Sequence, residues 1–170
     1  MPKVSIIMPS LNVAPYIREC IESVINQTLK DIEIICVDAG STDGTLEILQ
    51  EYADKDTRIK LIISAKKSYG YQLNLGMGVA SGKYMGIVET DDWIEPDMFF
   101  RLYTAAEINN ADIVKSNYYW YYTKPEIRDQ FFENLKNCTY GKPFNYNDDN
   151  DIFNVTPSIW SGLYRRELLL

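Results

Sequence analysis

Short strand-like runs alternate with amphipathic helices along this chain, which predicts an α/β fold: a mostly parallel sheet with helices on both faces. Three observations carry that prediction. Apolar, largely β-branched runs recur at Val4–Met8, Ile32–Val37, Ile59–Ile63 and Tyr84–Val88. Between them lie stretches of roughly ten residues with helical periodicity, the length a βαβ crossover needs. The chain has 170 residues, 46% of them hydrophobic and 24% charged, enough for one packed domain without disulfides or a structural metal.

Each element has a local cause. Val4–Met8 reads as a buried strand that Pro9 ends. Pro15 opens the first helix, where a missing N–H costs nothing. Its inner face is Ile17, Cys20, Ile21, Val24 and Ile25, at i, i+3, i+4, i+7 and i+8. Ile32–Val37 is the second strand. Ser41, Thr42 and Asp43 offer N-caps to a helix with Leu46, Leu49 and Ala53 inward. Ile59–Ile63 is the third strand. A Gly/Tyr-rich loop leads into a helix around 71–80, which Ser81-Gly82 stops. Tyr84–Val88 is the fourth strand. Pro96 opens a helix with Met98, Phe99, Leu102 and Ala106 inward, and Asp112–Lys115 is a fifth strand. Residues 1–115 form the core under this reading. Residues 116–170 begin a further region of the same domain, and Tyr164–Leu170 reads as a helix cut off in progress, as in a fragment of a longer protein.

Composition narrows function. Lys+Arg is 17 against Asp+Glu 24, a net charge of −7, which excludes a general nucleic-acid binder. Histidine is absent, so no histidine base, triad or metal site exists in this chain. Cys20, Cys36 and Cys138 have no CxxC spacing, and the first two fall in apolar segments, as reduced cysteines of a cytoplasmic protein. No apolar run approaches the roughly 20 residues of a membrane span.

In open α/β sheets ligands bind outside the carboxyl ends of the strands. The residues there are Pro9-Ser10-Leu11-Asn12, Asp38-Ala39-Gly40-Ser41-Thr42-Asp43-Gly44 and Glu89-Thr90-Asp91-Asp92. Three carboxylates within the last four residues repel one another unless solvated, protonated or neutralised by a cation. Extended backbone sends residues 89 and 91 to one side, suiting one ribose or metal-water contact and one direct metal bond; an acidic helix-capping turn is the alternative. Asp38 ends an apolar strand, partly buried, and accepts either from a ligand or from its own loop. Asn12 either holds the first loop or touches a ligand. Lys67, ahead of a helix, is a diphosphate partner or a solvated lysine. Tyr118–Tyr122 stacks a sugar or acceptor, or packs in a core or interface.

Taken together, these segments, with Ser23-Val24-Ile25-Asn26-Gln27-Thr28 and Trp93, resemble glycosyltransferase family 2 from about residue 3 to 115, and Trp160–Arg166 is similar to a later segment of bacterial members. The resemblance implies a GT-A fold, a Rossmann-like sheet that binds a nucleotide sugar, usually a UDP-sugar, with Mn²⁺ or Mg²⁺. It implies transfer with inversion to a glycan or lipid-linked acceptor at the cytoplasmic face of a membrane, with peripheral attachment through a missing C-terminal part. By position it places Pro9, Ser10 and Asn12 at base and ribose, Asp38 at the uracil, Glu89-Thr90 beside the ribose, and Asp91 and Asp92 at the metal. Three positions depart from the family. Ala39 replaces a second Asp, Glu89 replaces the first Asp of the metal triplet, and Leu73 replaces an Arg while Asn74 is kept, which leaves Lys67 or Gln72 for the phosphate contact. The general base is expected beyond Leu170, with Asp148, Asp149 and Asp151 as weak candidates. A donor-binding module without turnover is the alternative function, and a nucleotidyltransferase, which wants a Gly-rich basic loop after strand one, ranks below it.

Overall fold

In the computed structural model, residues 1–122, 130–132, 141–145 and 158–170 are described. The chain runs β1 (Val4–Ser10), α1 (Ile17–Ile25), β2 (Ile32–Asp38), α2 (Thr45–Ala53), β3 (Ile59–Ile63), α3 (Tyr69–Val79), β4 (Tyr84–Ile87), α4 (Met98–Asn109), β5 (Ile113–Lys115), β6 (Tyr118–Trp120), β7 (Gln130–Phe132), β8 (Gly162–Arg165) and α5 (Arg166–Leu169). The sheet has six strands in the order β3-β2-β1-β4-β8-β5. β1 pairs in parallel with β2 and β4, and β2 with β3, whereas β8 is antiparallel to both β4 and β5. The mostly parallel α/β sheet expected from the alternation is therefore the observed architecture.

Burial follows from the pairing. β1 and β2 are buried along their whole length, as parallel strands covered on both faces must be. One apolar layer joins Ile6, Met8, Ile34 and Cys36 to Ile17, Cys20, Ile21 and Val24 of α1, Leu49 of α2 and Phe99 and Leu102 of α4. The other joins Ile7, Ile35, Val37, Met85 and Ile87 to Leu73 of α3. α3 sits close because Gly76 faces β1: a Cβ there would stand 2.6 Å from Ile7 Cγ2.

Three local expectations change. β1 passes through Pro9 to Ser10. The proline is tolerated because β4 pairs only with Val4–Ile7, so no ladder donor is required at residue 9 on that side. Gly44, not Asp43, precedes α2, and the Asp43 carboxylate caps from one position earlier, accepting from Thr45 N at 3.1 Å and Thr45 Oγ1 at 2.6 Å. Tyr164 and Arg165 are strand, not helix, and helix begins only at Arg166. Cys20 and Cys36 are buried free thiols, and burial pushes both thiols up, Cys36 to about 12. Cys138 lies outside the described residues. Among the described residues no helix is long and apolar enough to cross a membrane.

Candidate donor-binding site

The carboxyl ends of β2, β1 and β4 stand side by side, and their loops are stitched together. Asp38 is fully buried, and its carboxylate accepts four hydrogen bonds: from Gly40 N (2.9 Å), Ser41 N (2.8 Å), Ser41 Oγ (2.6 Å) and Ser10 Oγ (3.2 Å). Sequence predicts partial burial, with a ligand or its own loop as partner. In the structure it organises its own loop and ties it to β1. Ala39, also buried, donates its N–H to the Ser10 carbonyl at 2.9 Å.

Asn12 takes the left-handed conformation, with φ 55°. Its N–H donates to Ser41 Oγ at 2.9 Å, and its Oδ1 accepts from Thr42 N at 2.9 Å. Val13 N donates to Thr45 Oγ1 at 2.9 Å and Ala14 N to Asp43 Oδ2 at 3.0 Å. The loop after β1 is thus clamped onto the loop after β2, and the loop-holding use of Asn12 is present while the side chain stays exposed.

Gln72 is buried on α3, and its Nε2 donates to the carbonyls of Ser10 (2.8 Å) and Val37 (2.6 Å). That use differs from the phosphate contact read from sequence: the amide satisfies main-chain acceptors where β1 and β2 end. Lys67 and Asn74 are exposed, on the approach to α3 and on its outer side.

Thr90, buried after β4, donates to the Pro9 carbonyl at 2.8 Å and so fixes the acidic segment against β1. Glu89 accepts a short hydrogen bond from the hydroxyl of Tyr69, the first residue of α3. Burial raises the Glu89 pKa; the Tyr69 hydroxyl opposes, and Asp91 and Asp92 add to the rise. Burial and then Asp91 raise Asp92. Asp91 is exposed. Hard carboxylate oxygens that burial and mutual repulsion push toward protonation are a donor set that a divalent cation relieves. Among the described residues no group of three or more His, Cys, Asp or Glu side chains converges to hold a metal alone. An ion here would take one or two carboxylates and complete its shell from ligand oxygens and water.

Sequence reasoning missed Tyr69 and Thr45, and read Ser41 only as a cap and strand-end residue. Tyr69 carries no local signal, because only the fold brings it to Glu89, whereas Ser41 and Thr45 bond Asp38 and Asp43 within their own turn. Of the aromatic run, Tyr118 stacks on Phe132 (4.8 Å between ring centroids) and meets Trp160 edge-on (4.5 Å), while Tyr119, Trp120 and Tyr121 are exposed. Trp93, directly after the acidic segment and 43% exposed, meets Tyr121 edge-on at 6.0 Å.

Comparison with known proteins identifies the family and the fold. The model of the family described as glycosyl transferase family 2 matches residues 5–169. The glycosyltransferase EpsJ of Bacillus subtilis is 37% identical over 99% of this chain and 49% of its own length. GlyA of Streptococcus pneumoniae is 34% identical over 98% of this chain and 25% of its own length. The chain thus spans half or less of these curated relatives. Among solved structures, S. aureus TarS 1–349 in complex with UDP superposes with a TM-score of 0.81 at 23% identity, over 98% of this chain and 48% of that one. That likeness shows a shared GT-A fold.

Proposed function

Because the chain belongs to glycosyl transferase family 2, we propose that it binds a UDP-sugar along the carboxyl edge of β2, β1 and β4 and presents it for transfer to an acceptor hydroxyl. The observation that carries this reading is the junction of the three strand ends, where Asp38, Asn12, Gln72 and Thr90 lock the loops together beside the exposed Asp91. The loops are preorganised before any ligand arrives, which lowers the cost of binding. The relatives bear the names of glycosyltransferases, which favours transfer over a donor-binding module without turnover.

The base and ribose lie over Pro9–Asn12 and Ala39–Ser41. With Ala39 in place of a carboxylate, the uracil meets main-chain groups and the Ser41 and Asn12 side chains. Asp38 acts from beneath, holding Gly40 and Ser41. Glu89, turned aside to Tyr69, is left for ribose or metal-bound water, and Asp91 and Asp92 are the residues that would hold Mg²⁺ or Mn²⁺. Bound there, the ion supplies positive charge to the diphosphate leaving group. Lys67, on the approach to α3, and Asn74, within it, border the diphosphate. The reaction we assign is a single displacement with inversion: an acceptor oxygen forms the bond to the anomeric carbon, the bond to the diphosphate oxygen breaks, and the acceptor proton passes to a general base. Asp148, Asp149 and Asp151 lie outside the described residues, and we place that base beyond Leu170. A glycan or lipid-linked acceptor, met at the cytoplasmic face of a membrane, belongs to the same proposal.

Calorimetric titration with UDP, GDP and dTDP, with and without Mn²⁺, tests the reading. UDP is expected to bind in preference to the other two and more tightly with Mn²⁺. Asp91→Ala, at an exposed position where fold stability is not at stake, is expected to remove the metal-dependent part, about a hundredfold, the order of one lost charge-assisted contact. Equal binding by wild type and Asp91→Ala contradicts the assignment.

A further inference from the structure

β5 is parallel to β4, since both are antiparallel to the intervening β8. Its last residue, Lys115, therefore lies at the same carboxyl edge as the acidic segment, two strand spacings or about 10 Å along the sheet. The side chain folds back over β8. A Cβ on Gly162 would come within 2.9 Å of Lys115 Cδ, so the glycine makes room for the lysine stem. The ammonium donates to the Ser158 carbonyl and, at 3.3 Å, to the Tyr164 hydroxyl.

Lys55, Lys60 and Lys83 are each paired with a glutamate. Lys115 is half-buried, and among the described residues no carboxylate pairs with it. Burial lowers its pKa to about 8. Two neutral oxygens do not offset the cost of partly desolvating an ammonium, whereas an anionic ligand does. In a chain of net charge −7 such a cation attracts an anion only locally.

We propose that Lys115 is a substrate-binding cation on the sugar side of the site, taking an anionic oxygen from either the carboxylate of a uronic-acid donor or a charged group of the acceptor. The inference rests on the nucleotide-sugar reading for its direction: with base, ribose and diphosphate laid over β2, β1 and β4, the next groups along the edge are the transferred sugar and the acceptor.

The test titrates UDP, UDP-glucose and UDP-glucuronate in the presence of Mn²⁺, and inorganic phosphate with and without UDP, into wild type, Lys115→Gln and Lys115→Arg. For a uronic-acid donor, wild type prefers UDP-glucuronate over UDP-glucose by about tenfold, Lys115→Arg keeps the preference and Lys115→Gln loses it. For an anionic acceptor, the two UDP-sugars bind alike and phosphate binding is lost in Lys115→Gln. Phosphate binding that depends on Lys115 without any UDP binding upholds the anion site and overturns the nucleotide reading. UDP binding with no Lys115-dependent preference or phosphate binding overturns the inference alone. Loss of UDP itself in Lys115→Gln, equal to the loss of UDP-glucuronate, also overturns it, because the cation then serves the diphosphate. Binding of none of these ligands by wild type overturns both. Should Lys115→Gln fail to fold, phosphate titrated into wild type must shift the Lys115 side-chain NMR resonances, and unchanged resonances count against the proposal.

Discussion

Asp38→Ala is expected to lower stability by about 2 kcal/mol at pH 7 and to abolish UDP binding, because it strands the N–H groups of Gly40 and Ser41 at a half-buried turn. The hydroxyls of Ser10 and Ser41 can rotate to other acceptors, so most of the cost falls on the two main-chain donors. Asp38→Asn is the discriminating control. Its amide oxygen still accepts from Gly40 and Ser41, and its NH₂ meets hydroxyls able to accept, so the expected loss is about 1 kcal/mol. Denaturant unfolding of the three proteins checks the order wild type, Asn, Ala. An Asn variant as unstable as Ala would mean that the charge, and not the acceptor geometry, holds the loop.

Glu33→Gln is expected to destabilise at neutral pH and to flatten the acid limb of the stability profile. Glu33 sits within β2 with its side chain only 8% exposed. Its Oε1 accepts from Ser5 Oγ (2.5 Å), Ser81 N (2.6 Å) and Ser81 Oγ (2.9 Å), and Lys60 Nζ donates to Oε2 at 2.6 Å. Burial alone would raise the carboxyl pKa. The Lys60, Ser5 and Ser81 donors outweigh burial and bring it down to about 2. A depressed folded-state pKa contributes stability that is complete above the ordinary value of 4.5 and lost as pH falls from there through about 2. The contribution is at most about 3 kcal/mol, reduced because solvent screens the half-exposed Lys60. Unfolding free energies measured between pH 7 and pH 2 are expected to converge for wild type and Glu33→Gln at the acid end. A constant gap across that range would show that the pair acts by packing alone.

The parts of this fold legible in the sequence are those with local causes. Ile32–Val37 and Ile59–Ile63 announce strands by β-branching, and Cys20 with Val24 marks the inner face of α1. β8 was not legible. Gly-Leu-Tyr-Arg has one fully buried apolar residue, Leu163, and becomes a strand only because β4 and β5 offer it two partners far away in sequence. Glu33 was hidden inside an apolar run, since its compensating donors come from β1, β3 and the turn after α3. In the site, the strand ends identified the right residues, but not which way they face. Asp38 and Gln72 look like ligand contacts on paper; Ser10, Ser41 and the Val37 carbonyl turn them inward. Lys115 gave no signal as a strand residue, and its position over Gly162 exists only once β8 is in place.

Localised paramagnetic broadening tests the central claim most directly. With UDP present, substoichiometric Mn²⁺ added to ¹⁵N-labelled protein is expected to broaden the amides of Thr90, Asp91, Asp92 and Trp93 first, and UDP with Mg²⁺ to shift those of Asn12, Gly40 and Ser41. In Asp91→Ala the Mn²⁺ broadening at residues 90–93 is expected to vanish, while the UDP shifts at Asn12, Gly40 and Ser41 weaken. Broadening centred on another acidic group, such as Glu51 on α2 or Asp54 just after it, or UDP shifts away from the ends of β1, β2 and β4, would contradict the account.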